Sequence, residues 1–515
     1  MSISEEAVRN IFRIASGVST SGQIKRDKLM KEKKIKKVLI ANRGEIAIRI
    51  CRAIHEEGLK AVAIYETPDQ ESRHLREADE SIWIGDGPRK DYLDIDKVIW
   101  AAKKTECQAI HPGYGFLAEN PDLAKACEEE GLIFIGPNYK AIKDLGDKTI
   151  ARSIAESVRI PVIPAGKVLP REEESALEKA LQFSKEEGFP VMLKAVAGGG
   201  GRGIRKIETE EELKLQLPIA AKEAKSAFGD EKLYLEKGIK RPRHVEVQIL
   251  ADHHGNVIHL GTRDCSIQRR HQKLVEIAPA PTILGSEVEK KICEAAVLFA
   301  KVSGYRNAGT VEFLVDQENN FYFLEINTRL QVEHTVTELV TGIDIVRRQI
   351  RIAEGMSLDI TQDEVVCKGS AIEMRINAED PKRDFAPESG KVVSVYQSPG
   401  GPGIRLDGTV YQGYKVPKEY DSLLVKLSVY GFDWNEMISR AVRALKDFII
   451  VGPKTTIPFY LRLLQEKEFL EKKFDTEYID RHPELFDYKP LEREEAKIAK
   501  AIAMIHHTKH NPFSM

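Results

Sequence analysis

Cysteine is scarce in this chain of 515 residues: Cys51, Cys107, Cys127, Cys265, Cys293 and Cys367 make six, and no two are spaced as CxxC. That spacing excludes a zinc site or a disulfide framework and suits a reducing cytoplasm. Excess charge of one sign is also lacking. Lys+Arg number 78 against Asp+Glu 80, a formal net charge of −2, so no overall field draws the chain to nucleic acid or to a membrane. No apolar run reaches the length of a membrane span, and the opening M-S-I-S-E-E-A-V-R-N has no apolar signal core. No internal repeat is visible. What is present is a hydrophobic fraction of 42%, ordinary for a globular protein, in a chain long enough for several domains.

The most informative stretch is Thr310 to His334, T-V-E-F-L-V-D-Q-E-N-N-F-Y-F-L-E-I-N-T-R-L-Q-V-E-H. Val311, Phe313 and Val315 alternate with Glu312 and Leu314, the period of a strand. Asp316 to Asn320 suits a tight turn, and Phe321 to Ile326 reads as a second strand. The hairpin places Glu312 beside Glu325. Two carboxylates in an apolar hairpin repel each other and lose water, a cost that a cation between them removes. Asn327 adds a neutral oxygen, giving a set suited to Mg²⁺ with its phosphates. Arg329, Gln331 and Glu333 follow at alternating positions and face one way if the chain stays extended. There Arg329 could clamp an anion and Glu333 could take a proton. The same pattern also suits a buried, salt-bridged hairpin.

Upstream, Lys37 to Ala41 reads as a strand, Asn42 to Glu45 as a loop, Ile46, Ile50, Ala53 and Ile54 as one helix face, and Leu59 to Tyr65 as the next strand. This is a βαβ unit of a doubly wound sheet. The loop is not GxGxxG, so a dinucleotide site is poorly supported. Asn120 and Pro121 open another helix. Further on, the strand Val191–Lys194 runs into Gly198-Gly-Gly-Gly201-Arg-Gly203. Successive glycine amides can cradle an anion, and Lys194 adds a point charge. Apolar strands close on both sides favour a phosphate loop over a linker.

E-I-N-T-R-L-Q-V-E-H resembles the signature of the biotin carboxylases, members of the ATP-grasp enzymes. A-N-R-G-E-I-A (41–47), H-P-G-Y-G-F-L-A-E-N (111–120), G-D-K (146–148), R-D-C-S-I-Q-R-R-H-Q-K (263–273), R-I-N-A-E-D (375–380), Y-D-S-L-L-V-K-L (420–427) and V-G-P-K-T-T (451–456) are similar to that family's motifs and occur in its order. The resemblance covers roughly 36–485. After an extension (1–35) that precedes the family's usual start, it implies an α/β fold: an N-terminal Rossmann-like domain (36–150) and an ATP-grasp domain (151–360) with a mobile Gly-loop lid at about 166–238. A mixed α+β C-terminal domain (361–486) and a helical tail (487–515) follow.

The resemblance also implies roles. Lys148, Lys194, Gly199, Gly200 and Gly201 hold ATP phosphates. Glu236, Lys237, Ile239, His244, Gln268 and His271 contact the nucleotide. Glu312, Glu325 and Asn327 bind metal–ATP, with Mg²⁺ or Mn²⁺. Lys273, Arg329, Gln331 and Val332 surround bicarbonate, Glu333 is the base, Glu276 is a further acid of the site, and Arg375 and Asp421 face biotin. Two positions depart from the family: Thr335 stands where Pro is usual, which frees an amide and loosens the turn, and Ala197 replaces a loop glycine.

No Ala-Met-Lys-Met hairpin for covalent biotin is seen. Leu29-Met30-Lys31-Glu32 lies in a charged run without strands around it. The expectation is therefore a cytoplasmic subunit that carboxylates biotin on a separate carrier protein and works with a carboxyltransferase subunit, without nucleic-acid or membrane partners; the resemblance implies a homodimer. The parent enzyme is expected to be an acyl-CoA carboxylase. A two-subunit pyruvate carboxylase and a catalytically idle ATP-binding scaffold are the alternatives.

Overall fold

The computed structural model describes residues 35–488 except 171, 197–202, 271 and 282–284. The expectations for residues 1–34, Ala197, Gly199, Gly200, Gly201, His271 and the tail from 489 lie outside the described residues. A parallel sheet opens the chain, with strands β1 (Lys37–Ile40), β2 (Lys60–Glu66), β3 (Glu80–Gly85), β4 (Ala109–His111) and β5 (Ile133–Phe134) in the order β3-β2-β1-β4-β5. Helix Gly44–Glu56 buries Ile46, Ile50, Ala53 and Ile54, the spacing of one helix face. Gly58, at φ +71°, ends it in a conformation that side chains disfavour. Asn120 accepts from the Asp122 amide and caps the helix that Pro121 begins.

Next comes a small antiparallel sheet of β6 (Val191–Ala195), β7 (Ile204–Ile207) and β8 (Leu233–Lys237), ordered β7-β6-β8. Helices Glu173–Glu187 and Glu210–Phe228 pack on it through a core that includes Val191, Leu193, Ile207, Leu213, Leu217 and Leu235.

The remaining body is an eight-stranded sheet of β9 (Arg243–Ala251), β10 (Val257–Arg269), β11 (Gln272–Ala278), β12 (Asn307–Val315), β13 (Phe321–Asn327), β14 (Ser370–Asn377), β18 (Ile404–Gly408) and β19 (Leu423–Gly431). Its order is β13-β12-β9-β10-β11-β14-β19-β18. Two short ladders, β15 (Glu379–Asp380) with β16 (Ala386–Pro387) and β17 (Val395–Gln397) with β20 (Ile449–Val451), lie beside it. Ala378 separates β14 from β15 within the R-I-N-A-E-D motif.

Strand alternation gives the large sheet two unlike faces. Val245, Val247, Ile249, Val311 and Phe313 enter one apolar core, and Ile372, Met374, Val425, Leu427 and Val429 enter another. Helix Trp434–Asp447 covers the second core with Met437, Ile438, Ala441 and Leu445. Each such fully buried aliphatic side chain contributes about 1.5–3 kcal/mol. The intervening residues are charged, and register lines them up. Glu325 pairs with Glu312, Glu312 with Glu246, and Glu246 with Arg263. Farther along, Glu276 pairs with Glu373, Arg375 with Lys426, and Lys426 with Asp407. Helix His334–Thr341 lies against this polar side, and its Thr335 and Thr337 hydroxyls bond to Glu373 and Arg263.

A β-bulge makes the first of these pairings possible. Phe313 pairs with Phe323 while Glu312 pairs with Glu325, so Leu324 is an extra residue in β13. Phe323 and Glu325 share strand parity and would otherwise share a face.

Candidate active site

The charged row converges on Lys273, which β11 sends across from the hairpin with β10. Its Nζ lies 2.6 Å from Glu246 Oε2, 3.0 Å from Glu312 Oε1 and 2.7 Å from Glu333 Oε1. Glu312 is saturated with donors. Its Oε1 also accepts from Asn327 Nδ2 and Gln331 Nε2, each at 2.8 Å, and His244 Nε2 lies 2.8 Å from its Oε2. The two carboxylates of the hairpin therefore meet cations from the protein itself: Lys148, the first residue of its helix, reaches Glu325 Oε2 at 3.0 Å.

Behind Lys273, Arg263 is fully buried and spends its guanidinium on Glu246 (2.5 Å), Gln248 (2.9 Å), Thr337 (2.9 Å), Thr310 (3.1 Å) and Gln331 (3.0 Å). Local pattern treats Arg263 as one cation of a basic stretch. Only the register of β10 against β9 reveals it as the anchor of the site. Glu246 is similarly absent from the expected ligand set, although R-H-V-E-V-Q alternates as a two-faced strand should.

Glu333 is held from two sides. Lys273 takes Oε1, and Arg375 Nη2 lies 3.1 Å from Oε2 and 2.5 Å from Glu276 Oε1. Burial raises the Glu333 carboxyl, but Lys273, Arg375 and Arg263 outweigh it and hold the group well below the usual carboxylate range. Burial likewise opposes ionisation of Glu312, and Lys273 and His244 overcome it. Burial pulls the Lys273 ammonium down, yet Glu246, Glu312 and Glu333 push it well above its ordinary value. Cys265 is buried, and desolvation raises its thiol far from reactivity, which fits a packing role.

The segment 328–333 is not extended, as alternation suggests, but bends into a turn that ends at the first residue of helix His334–Thr341. Gln331 and Glu333 still reach the Lys273 cluster. Arg329 leans the other way, with Nη2 donating to Asn327 Oδ1 at 3.0 Å and Nε lying 3.0 Å from Glu119 Oε2. The Val332 carbonyl accepts from Lys426 at 2.8 Å. Thr335 does not loosen this turn. Its hydroxyl, which a proline would lack, donates to Glu373 and lies 2.7 Å from Ser428 Oγ.

Other expected residues flank the cluster. Lys194 ion-pairs with Glu236 across β6 and β8. The Lys237 amide donates to Pro164 O at 2.8 Å, while its side chain turns toward Glu187. Ile239 is half-buried just past β8, and Gln268 is the cross-strand partner of Lys273. Asp421 is exposed and turns its carboxylate to the Leu423 amide at 3.1 Å. Glu312 and Glu325 are paired across the hairpin and each meets a lysine, Lys273 and Lys148 respectively; their hard oxygen donors suit a divalent cation.

Three domain-family models match the chain in succession: the biotin carboxylase N-terminal domain over residues 34–142, the carbamoyl-phosphate synthase L chain ATP-binding domain over 147–361, and the biotin carboxylase C-terminal domain over 373–481. Biotin carboxylase 1 of Bacillus subtilis is 48% identical over 87% of this chain and 98% of its own length. Pyruvate carboxylase 1 of Caenorhabditis elegans is 48% identical over 91% of this chain, which spans 40% of that longer protein. The crystal structure of the biotin carboxylase domain dimer of Hydrogenobacter thermophilus 2-oxoglutarate carboxylase, in complex with MgADP, ADP and bicarbonate, matches with a TM-score of 0.84. It is 47% identical over 89% of this chain and 100% of that one. Such identity across nearly the whole length of a biotin carboxylase, with all three domain models in order, makes the chain a member of the biotin carboxylases, ATP-dependent ligases of the ATP-grasp fold.

Proposed function

We propose that the chain carboxylates biotin, presented by a separate carrier protein, at the expense of ATP and bicarbonate. The observation that carries this reading is the placement of Glu333 between Lys273 and Arg375, beside the adjacent carboxylates Glu312 and Glu325. Lys148, Lys194 and the loop glycines Gly199, Gly200 and Gly201 hold the nucleotide phosphates. Glu236, Lys237, Ile239, His244, Gln268 and His271 line its remaining length, under a lid formed by about 166–238. Glu312 and Glu325, with Asn327, would hold Mg²⁺ or Mn²⁺, which would offset the negative charge of the nucleotide phosphates.

In this reading Lys273, Arg329, Gln331 and Val332 bind bicarbonate, Arg329 turning in from Glu119. Held by two cations, Glu333 is a weak base. Transfer of the Lys273 ammonium from Glu333 to the incoming anion raises the basicity of Glu333 where bicarbonate must lose its proton. Deprotonated bicarbonate attacks the terminal phosphorus of ATP, and ADP leaves. The carboxyphosphate formed splits into CO₂ and phosphate, phosphate takes the N1 proton of biotin, and N1 adds to CO₂ while Arg375 stabilises the negative charge that develops on the ureido oxygen. In this reading Asp421, exposed just before β19, also contacts biotin.

Domain limits of 36–150, 151–360 and 361–486 go with this reading. So does a homodimer, the state named for the H. thermophilus domain structure. Six free cysteines support a reducing, cytoplasmic setting, and among the described residues no helix is long and apolar enough to cross a membrane. For the parent enzyme we favour an acyl-CoA carboxylase with a partner carboxyltransferase subunit. A pyruvate carboxylase subunit is the second reading, and the identity to pyruvate carboxylase 1 supports it.

The test is bicarbonate-dependent ATP cleavage by the purified chain, stimulated by free biotin. Stimulation by both is the expected result. ATP cleavage indifferent to bicarbonate would sink the reading. Adding candidate carriers and transferases with acetyl-CoA or pyruvate then separates the two parents.

A further inference from the structure

Two stretches lie outside the Lys273 cluster: A-N-R-G-E-I-A around Glu45 and the Lys426 end of Y-D-S-L-L-V-K-L. The fold brings them together behind it. The Arg43 guanidinium stacks 3.8 Å over the Tyr420 ring, and Lys426 Nζ lies 3.2 Å from Glu45 Oε1. The same ammonium donates to the Val332 carbonyl at 2.8 Å, in the turn between Gln331 and Glu333. Lys426 side-chain exposure is 0% and that of Glu45 is 5%.

A buried ammonium carries a desolvation cost of several kcal/mol, and its retention calls for partners that need it. Lys426 has four: the carboxyl groups of Glu45, Glu373 and Asp407 around it, and the Val332 carbonyl as acceptor. It is also the direct cross-strand partner of Arg375. Paired positions on two neighbouring strands thus each send a cation to consecutive residues of one turn, Arg375 to the Glu333 carboxylate and Lys426 to the Val332 carbonyl. Without the second contact the Val332–Glu333 peptide is free to rotate, and both side chains that flank it move with it.

We propose that Lys426, held by Glu45, is a positioning residue that fixes the Val332–Glu333 peptide so that Gln331 and Glu333 meet bicarbonate in a reactive geometry. The inference rests on the reading of those residues as the bicarbonate-handling groups. It gives the contact between the two motifs a purpose: the first helix of the N-terminal part and a strand of the C-terminal part jointly hold a turn of the middle part.

The test compares Lys426→Met with Glu45→Gln/Lys426→Met. The double variant removes the orphaned Glu45 charge and keeps the measurement available if the single one folds poorly. Thermal unfolding and ATP binding report on folding. The expected result is a KM for bicarbonate raised, or a bicarbonate-dependent rate lowered, by roughly 10- to 100-fold, the scale of an ångström's misplacement, with the KM for ATP within about twofold of wild type. A folded variant with wild-type bicarbonate kinetics would overturn the proposal, as would equal losses toward ATP and bicarbonate. Glu333→Gln is measured alongside. If it keeps bicarbonate-dependent ATP cleavage, the underlying reading of Glu333 fails instead.

Discussion

Lys273 Nζ and Glu333 Oε1 lie 2.7 Å apart, and the same ammonium also touches Glu246 and Glu312. One cation thus serves three buried carboxylates. In Lys273→Met all three lose it, and Arg263, His244 and Arg375 compensate only in part. Breaking a buried pair costs about 3–5 kcal/mol. The variant is expected to unfold at lower denaturant by about that amount and to lose bicarbonate-dependent ATP cleavage. Unchanged denaturation midpoints and rates would contradict the hub role.

The bulged pairing of Glu312 with Glu325 predicts a metal effect. Glu325→Gln keeps shape and removes one charge. Turnover at saturating Mg²⁺ is expected to fall by orders of magnitude, because the ion that would offset phosphate charge would lose a ligand. Wild-type turnover under those conditions would exclude Glu325 as a ligand.

Arg375 contacts Glu276 and Glu333 rather than the hairpin carboxylates. Arg375→Ser is accordingly expected to spare most bicarbonate-dependent ATP cleavage while abolishing carboxybiotin formation. Assaying phosphate release and carboxybiotin in the same reaction checks this, and parallel loss of both would refute it.

Thr335 offers a stability test away from the chemistry. Its hydroxyl serves Glu373, which otherwise has Ser428 at 3.3 Å. Thr335→Val leaves that buried carboxyl short of a donor and is expected to cost about 1–3 kcal/mol, with Thr335→Ser restoring most of it. Equal melting temperatures for wild type and the valine variant would count against the bond.

Glu338 gives the acid-side prediction. Burial raises its carboxyl, but Arg49, His334 and Arg405 hold it well below the ordinary 4.5. A folded-state value below the unfolded one stabilises above that ordinary value, and the contribution is lost as pH falls below it. The stability gap between wild type and Glu338→Gln is therefore expected to be wide at pH 7 and to narrow on acidification. Denaturant midpoints across that range measure it, and a constant gap would refute the assignment.

Much of this was legible locally. The period of two in Thr310–Val315, the Asn120-Pro121 helix start and the strands on either side of the glycine loop all follow from short-range rules of propensity and side-chain direction. The residues of the Lys273 cluster are equally visible as types, because Glu-Ile-Asn-Thr-Arg and Arg-Asp-Cys-Ser stand out in any reading. Their partners are not. Lys273 and Glu333 are 60 positions apart, and Arg49 and Glu338 are 289 apart, so no local pattern couples them.

By itself the sequence determined which strands have one polar and one apolar face, because alternation depends only on neighbours in the chain. Tertiary structure alone decided which polar residues meet. The extra Leu324 in β13 shifts the phase by one residue and turns Glu325 to the side of Glu312. The order β9-β10-β11-β14-β19 then lays Glu246, Arg263, Lys273, Arg375 and Lys426 across one side of the sheet. Burial there removes the water that would otherwise screen them, so each charge is set by partners that only sheet pairing can supply.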